Sequence, residues 1–238
     1  MRFAVFENQK LEATPKAQGV CPSCGAELIA RCGTRKIWHW AHKGRRHCDH
    51  WWENETKWHR NWKNSFPSDW QEVPSRDEHG ELHIADIKTP KGLVVEFQHS
   101  YLKPEEARKR TQFYKQMIWV VDGTRRTSDE KQFQQAMVDA RKHQFDEGTV
   151  YEVYYPEFVR LFREWAGLGP IIAFDFGKDK VWLLRRILNQ TIYGFEYPKE
   201  NLIQNIEEGT VPPDVLFGEP SRQSVSAQRR GPRYNRRF

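Results

Sequence analysis

The sequence contains no apolar run approaching the roughly 20 residues that a bilayer-spanning helix needs, and 29% of its residues are charged. Its opening, MRFAVFENQK, lacks the basic start and apolar stretch of a secretory signal. A soluble, cytoplasmic protein without membrane contact is therefore expected. Cysteine is scarce: Cys21, Cys24, Cys32 and Cys48 are the whole complement. A disulfide framework spread through the chain is excluded, and in a reducing compartment such clustering favours a metal. A redox-active CxxC would require a βαβ setting, which the flanking sequence does not offer. Internal repeats are absent, and residues 222–238 contain no acid but six arginines.

At 238 residues the chain can build one sizeable core with attachments. Its net charge of +6 is unevenly spread: residues 1–63 hold 12 Lys/Arg against 6 Asp/Glu, and residues 64–221 hold 20 against 26. Basic ends around an acidic middle suit flanks that grip a polyanion and a centre that gathers carboxylates around a cation. A tail that is merely solvated is the other reading.

Residues 1–20 read as a short strand and a polar connection. CPSCG then reads as a metal-knuckle turn leading into two strands, ELIAR and KIWHW. From Asp49 to about Asn64 the spacing is helical, with Asp49 as cap and Phe66-Pro67 closing the segment. Glu55, His59 and Lys63 then fall at i, i+4 and i+8 on one face. Further on come a strand pair in WQEVPSRDEHGELHIADI, the strand LVVEFQ, the helix PEEARKRTQFYKQM and the strand IWVVDG. Strand, helix, strand implies a right-handed crossover and a parallel pair in an otherwise antiparallel sheet. A helix over SDEKQFQQAMVDARKHQF, a strand VYEVYY, a helix PEFVRLFREWAGL and a terminal hairpin of GPIIAFDFG with KVWLLRRI complete a mixed α/β (α+β) fold. From about residue 216 apolar residues give way to Ser, Gln, Gly, Pro and Arg, the composition of a disordered basic tail.

A hairpin of HIADI and LVVEFQ across the turn KTPKG pairs Ile87 with Leu93, which sets Asp86 opposite Val94 and Glu96 opposite Ile84. Side chains alternate at period two, so Asp86, Glu96 and Gln98 share one face and Val95 and Phe97 the other. Crowded carboxylates call for a cation, and Mg²⁺ or Mn²⁺ is the ordinary partner of oxygen ligands. An Asp86 that caps a turn and a Glu96 paired with a lysine remain the other reading.

CPSCG, HWAH, ETKWHRNWK, HIADI, EFQHS and WVVDG, in that order, resemble the competence-protein CoiA-like family of nucleases, part of the broad PD-(D/E)xK nuclease superfamily. The resemblance spans about residues 20–123. It implies a restriction-endonuclease-like core, with Asp86 and Glu96 as ligands of the catalytic metal and Gln98 where the superfamily carries lysine. Glutamine holds no positive charge and can only orient water or phosphate. Lys63, Lys88 and Lys103 are the candidates for the missing ammonium. The resemblance also matches Glu55 to the acid of the superfamily's first helix and leaves His59 as a base or phosphate ligand. Arg110 and Tyr114 either hold phosphate or anchor their helix.

Cys21, Cys24, His39 and His42 give C-x2-C-x14-H-x2-H, close to zinc spacing. On a strand, His39 and His42 reach one ion only if the chain turns between them, so His39 and Cys48 compete for the fourth position. A module this small has too little core to fold unaided, which makes a structural Zn²⁺ the expectation. Seven of the ten tryptophans lie between residues 38 and 70, available to stack bases or to pack the module. The expected organisation is a zinc-binding module over 1–50, a nuclease domain over 51–215 and a tail over 216–238. Metal-dependent DNA hydrolysis, DNA binding without hydrolysis and a zinc-stabilised protein adaptor are the three functions this pattern admits.

Overall fold

The computed structural model describes residues 1–44, 49, 51, 55–145, 148–188 and 191–212, with backbone alone for 185–188. Cys48, its neighbours His47 and His50, and the tail expected at 216–238 lie outside the described residues. No described helix is long and apolar enough to cross a membrane.

Two sheets hold the strands. The first comprises β1 (Phe3–Phe6), β2 (Gln9–Glu12), β3 (Gln18–Val20), β4 (Glu27–Arg31) and β5 (His39–His42), in the order β2-β1-β3-β4-β5. The first 20 residues thus hold three strands where one was expected. Glu7 and Asn8, at φ 48° and 63°, make a two-residue turn that folds β2 back on β1 with Phe6 opposite Gln9. Met1, Ala4, Ala13, Cys21 and Leu28 pack around Trp40, which is fully buried and donates its indole N–H to the Leu11 carbonyl at 2.9 Å.

The second sheet contains β6 (Gln71–Arg76), β7 (Leu82–Lys88), β8 (Val94–Gln98), β9 (Met117–Asp122), β10 (Arg141–Phe145), β11 (Gly148–Tyr154), β12 (Ile171–Asp175), β13 (Lys180–Leu188) and β14 (Thr191–Pro198). Its order is β10-β11-β14-β13-β12-β9-β8-β7-β6. The helices are α1 (Lys57–Lys63), α2 (Pro104–Phe113), α3 (Thr127–Asp139), α4 (Arg160–Trp165) and α5 (Lys199–Glu207). β8 and β9 are parallel through the α2 crossover, and β9 also pairs in parallel with β12, so the sheet is mixed as expected. Trp119 and Val121 pack with Phe133, Phe162 and Trp165 from α3 and α4 on one face. Ile118 and Val120 pack with Trp62 of α1 and Leu202 and Ile206 of α5 on the other. Covered on both faces, β9 is buried at every residue, which is why MIWVV reads as an uninterrupted apolar run up to Asp122.

Three elements differ from the sequence expectation. Helix α1 begins only at Lys57, because Thr56 takes the capping position: its hydroxyl accepts from the His59 N–H and its own N–H donates to His59 Nδ1. Among the described residues the Asp49 carboxylate accepts from the N–H groups of Trp51 and Ile84, tying this segment to β7. ARKHQF leaves the helix after Asp139, and Arg141–Phe145 pairs with β11 as a charged edge strand. Finally, the β12/β13 hairpin is not terminal, since β14 and α5 follow and bury Ile192, Leu202 and Ile206.

Candidate active site

The β7/β8 hairpin turns through Pro90–Gly92, with Gly92 at φ 86°, a left-handed conformation that glycine adopts without strain. Lys88 pairs with Val94 and Ile87 with Val95. The register is two residues away from the expected one, in which Ile87 met Leu93. A two-residue shift preserves side-chain parity, and Val95 and Phe97 still pack in the core shared with Trp62. It also brings Asp86 level with Glu96. Beyond Ile87 the carboxylates take over from the backbone ladder. Asp86 Oδ2 accepts from the Phe97 N–H at 3.0 Å, and Glu96 Oε1 faces the Asp86 N–H at 3.4 Å.

A cleft of about 70 Å³ opens at this point, lined by Asp86, Glu96, Gln98, Glu55, His59 and Lys63 among others. That is room for a few water-sized groups. The sequence reading left three lysines as candidates, and their places differ. Lys63 is buried, with Nζ 2.8 Å from Asp86 Oδ1 and 3.5 Å from both Glu55 and Glu72. Burial alone would lower its pKa, but the Asp86, Glu72 and Glu55 carboxylates outweigh burial and hold it above the ordinary lysine value. Lys88 instead reaches Ser75 Oγ at 3.0 Å, and Lys103 is the exposed residue ahead of α2.

Glu96 is buried, and desolvation first, then the charge of Asp86, push its carboxyl well above the usual range against the pull of Arg110. Arg110 comes no closer to Glu96 than 3.9 Å; its stronger bonds go to Glu106 and the Trp51 carbonyl, at 2.5 and 2.7 Å. It therefore anchors α2 while lining the cleft. Tyr114 is buried beside it, its phenol pushed up by burial and then by the Glu96 charge. Glu55 precedes α1 and ion-pairs with Arg60 and Lys63, yet its buried Oε1 accepts no hydrogen bond from the described residues. Gln98 is buried at the end of β8, and its amide donates to the Ser100 carbonyl at 3.0 Å. His59 lines the cleft and closes the α1 cap at once.

Two cleft carboxylates escaped sequence reasoning. Asp49 was read only as a cap. Glu72, in the QEVPS strand, drew no attention at all, because an isolated glutamate in a strand carries no periodic signal. Glu72 accepts from the N–H groups of Arg2 and Phe3 at 2.7–3.0 Å. Burial would raise its pKa, but Lys63, the chain's amino terminus and those N–H groups hold it down at about 2.

In the first sheet, Gly25 at φ 71° closes the knuckle, its N–H donating to the Cys21 carbonyl at 2.9 Å. The ligand atoms of Cys21, Cys24 and His42 lie within 4.8 Å of one another, and Cys24 Sγ is 3.4 Å from His42 Nε2. Sulfur and imidazole ligands of one tetrahedral ion stand about 3.5 Å apart. Burial, first among several influences, pushes the Cys21 thiol up. His39 is not brought to this group: its Nδ1 faces the Ile37 carbonyl at 2.8 Å, one strand residue out of phase with His42. Cys48, the rival fourth ligand, is outside the described residues.

Comparison with known proteins matches both parts. The family model for the competence protein CoiA N-terminal domain covers residues 4–50, and that for the competence protein CoiA nuclease-like domain covers residues 84–163. The first takes in the Cys/His group, and the second takes in Asp86, Glu96 and Gln98; α1 lies between them. No curated protein and no solved structure matches the chain. With a Cys/His module followed by a nuclease-like domain, in the order of both matches, the chain belongs to the CoiA-like family of competence proteins.

Proposed function

We propose that the protein is a metal-dependent deoxyribonuclease that hydrolyses phosphodiester bonds in DNA, acting in the cytoplasm on incoming or foreign DNA. The observation that carries this reading is the meeting of Asp86 and Glu96 across the splayed end of a hairpin, in a cleft of about 70 Å³ that also holds Lys63. A Glu96 carboxyl pushed up first by burial and then by the Asp86 charge, and a buried Glu55 oxygen without a hydrogen bond among the described residues, fit a hard divalent cation. Asp86 and Glu96 would hold Mg²⁺ or Mn²⁺, with Glu55 beside them. When bound, such an ion polarises the phosphodiester and lowers the pKa of water.

The chain's own groups do the rest. Lys63 supplies the positive charge that position 98 lacks, and it holds the Asp86 carboxylate in place. His59 offers a donor to phosphate. Gln98 and the Asp86 contact to the Phe97 N–H keep the end of β8 open. Cys21, Cys24 and His42 hold a structural Zn²⁺ that stabilises the first sheet.

Purified protein should cut DNA with Mg²⁺ or Mn²⁺. Asp86→Asn or Glu96→Gln should each lower the rate by more than the roughly 10–100-fold typical of losing a mere supporting partner of a metal ligand. Wild-type activity in both variants would sink the assignment. A second reading, DNA binding without hydrolysis, draws on Gln98, whose amide is turned to Ser100. Salt-dependent DNA binding without cleavage of single-stranded, duplex or branched substrates would favour it.

A further inference from the structure

EFQHS and WVVDG each contain a residue with no role in the site described above, His99 and Asp122. The fold brings them into contact, because β8 and β9 are parallel neighbours and both residues stand at the same end: Gln98 pairs with Val121. His99 Nδ1 lies 2.7 Å from Asp122 Oδ2. Asp122 is buried, and its other oxygen accepts from the Thr124 N–H at 2.8 Å and the Thr124 hydroxyl at 2.7 Å. The carboxylate is thereby fixed in orientation, while the imidazole it holds stays about one-third exposed, at 35%. The His99 ring centre is 6.0 Å from that of His59, which lines the cleft. Among the described residues, Asp122 at the end of β9 and His59 on α1 are the titratable groups in contact with or across from His99; Trp58, 6.4 Å away on the same helix, is uncharged.

The two imidazoles are held in opposite tautomers. A carboxylate only accepts, so His99 Nδ1 carries the hydrogen and Nε2 of the neutral ring keeps its lone pair. The Thr56 N–H donates to His59 Nδ1 at 3.3 Å, and the Thr56 hydroxyl, which accepts from the His59 backbone N–H, stands 2.9 Å from the same nitrogen with its hydrogen available to donate; with Nδ1 accepting, the neutral ring carries its hydrogen on Nε2. One histidine can take a proton and the other can donate a hydrogen bond.

We propose that His99, positioned by Asp122, is the general base of the reaction and that His59 donates to a phosphate oxygen; this deepens the nuclease reading and rests on it. The attacking water gives its proton to His99 Nε2 as its oxygen bonds to phosphorus. The bond from phosphorus to the leaving sugar oxygen breaks, and that oxygen is protonated by solvent water. The imidazolium faces the Asp122 carboxylate and then returns its proton to solvent.

Two measurements test the assignment. Nitrogen-15 imidazole spectra of the protein with its structural zinc in place and no added Mg²⁺ should show His99 protonated on Nδ1 and His59 on Nε2, and Asp122→Asn should disturb the first and spare the second. In the Mg²⁺-dependent cleavage assay, His99→Gln should lose about 100-fold or more in kcat and also lose the acidic limb of the pH–rate profile. A His99 ring protonated on Nε2 in the wild type, or a wild-type pH profile in a folded His99→Gln, would overturn this role while leaving the nuclease reading intact. A wild-type protein that cuts no DNA would overturn both.

Discussion

Around Cys21, Cys24 and His42 the five-stranded sheet offers a small core in which, among the described residues, Trp40 alone is a large, fully buried side chain, whereas Asp86 and Glu96 sit beside a nine-stranded sheet covered on both faces. In the first region two thiols and an imidazole lie within 4.8 Å of one another, a donor set suited to a bound zinc ion that would hold the ligands together. In the second, Lys63 already neutralises part of the carboxylate charge, so the fold can stand before any metal arrives. One centre is expected to build structure and the other to perform chemistry on structure already built.

Removing metal with a chelator should separate the two. Apparent binding energies of structural zinc reach about 10–16 kcal/mol, so hydrogen exchange should show β1–β5 losing protection while β8, β9 and β12 keep theirs. Equal loss in both sheets would break the comparison. The next largest effect should come from Lys63→Met, which leaves Asp86, Glu55 and Glu72 facing one another; removing one member of a buried ion cluster costs about 3–5 kcal/mol. Lys88→Met, by contrast, should change the unfolding free energy by no more than about 0.5 kcal/mol, read from denaturant midpoints. Similar midpoints for the two would show that Lys63 holds no special place.

A smaller effect than that of Lys63 concerns the seam between the sheets. Glu72→Gln leaves the Arg2 and Phe3 N–H groups with a neutral acceptor and should cost about 1–3 kcal/mol. Because the folded-state value of about 2 lies below the ordinary 4.5, the carboxylate's contribution is present above pH 4.5 and fades as pH falls toward 2. Unfolding curves of wild type and Glu72→Gln should therefore converge in acid; a constant gap across that range would rule out Glu72 as the charged link.

Much of the site could be read along the chain because it rests on local periodicity. VVEFQ announced its two faces by alternation, and Val95 and Phe97 do pack together in the core. CPSCG carries its turn in its own glycine. The helix expected over 49–64 is present from Lys57 to Lys63, its start set by the Thr56 cap, a competition between side chain and backbone that spacing does not reveal. RKHQF became a strand only because β11 supplied an edge to pair with.

By itself the sequence determined which residue types were available and which shared a face: the Cys/His spacing, the parity of Asp86, Glu96 and Gln98, and the missing lysine at position 98. Tertiary structure alone decided which lysine enters the cleft, that Asp86 stands level with Glu96, that Glu72 ties the first sheet to the second, and that His99 meets Asp122. The reason is physical: alternation within a strand is set by local backbone geometry, whereas register and the approach of α1 depend on a turn conformation and on packing across the sheet.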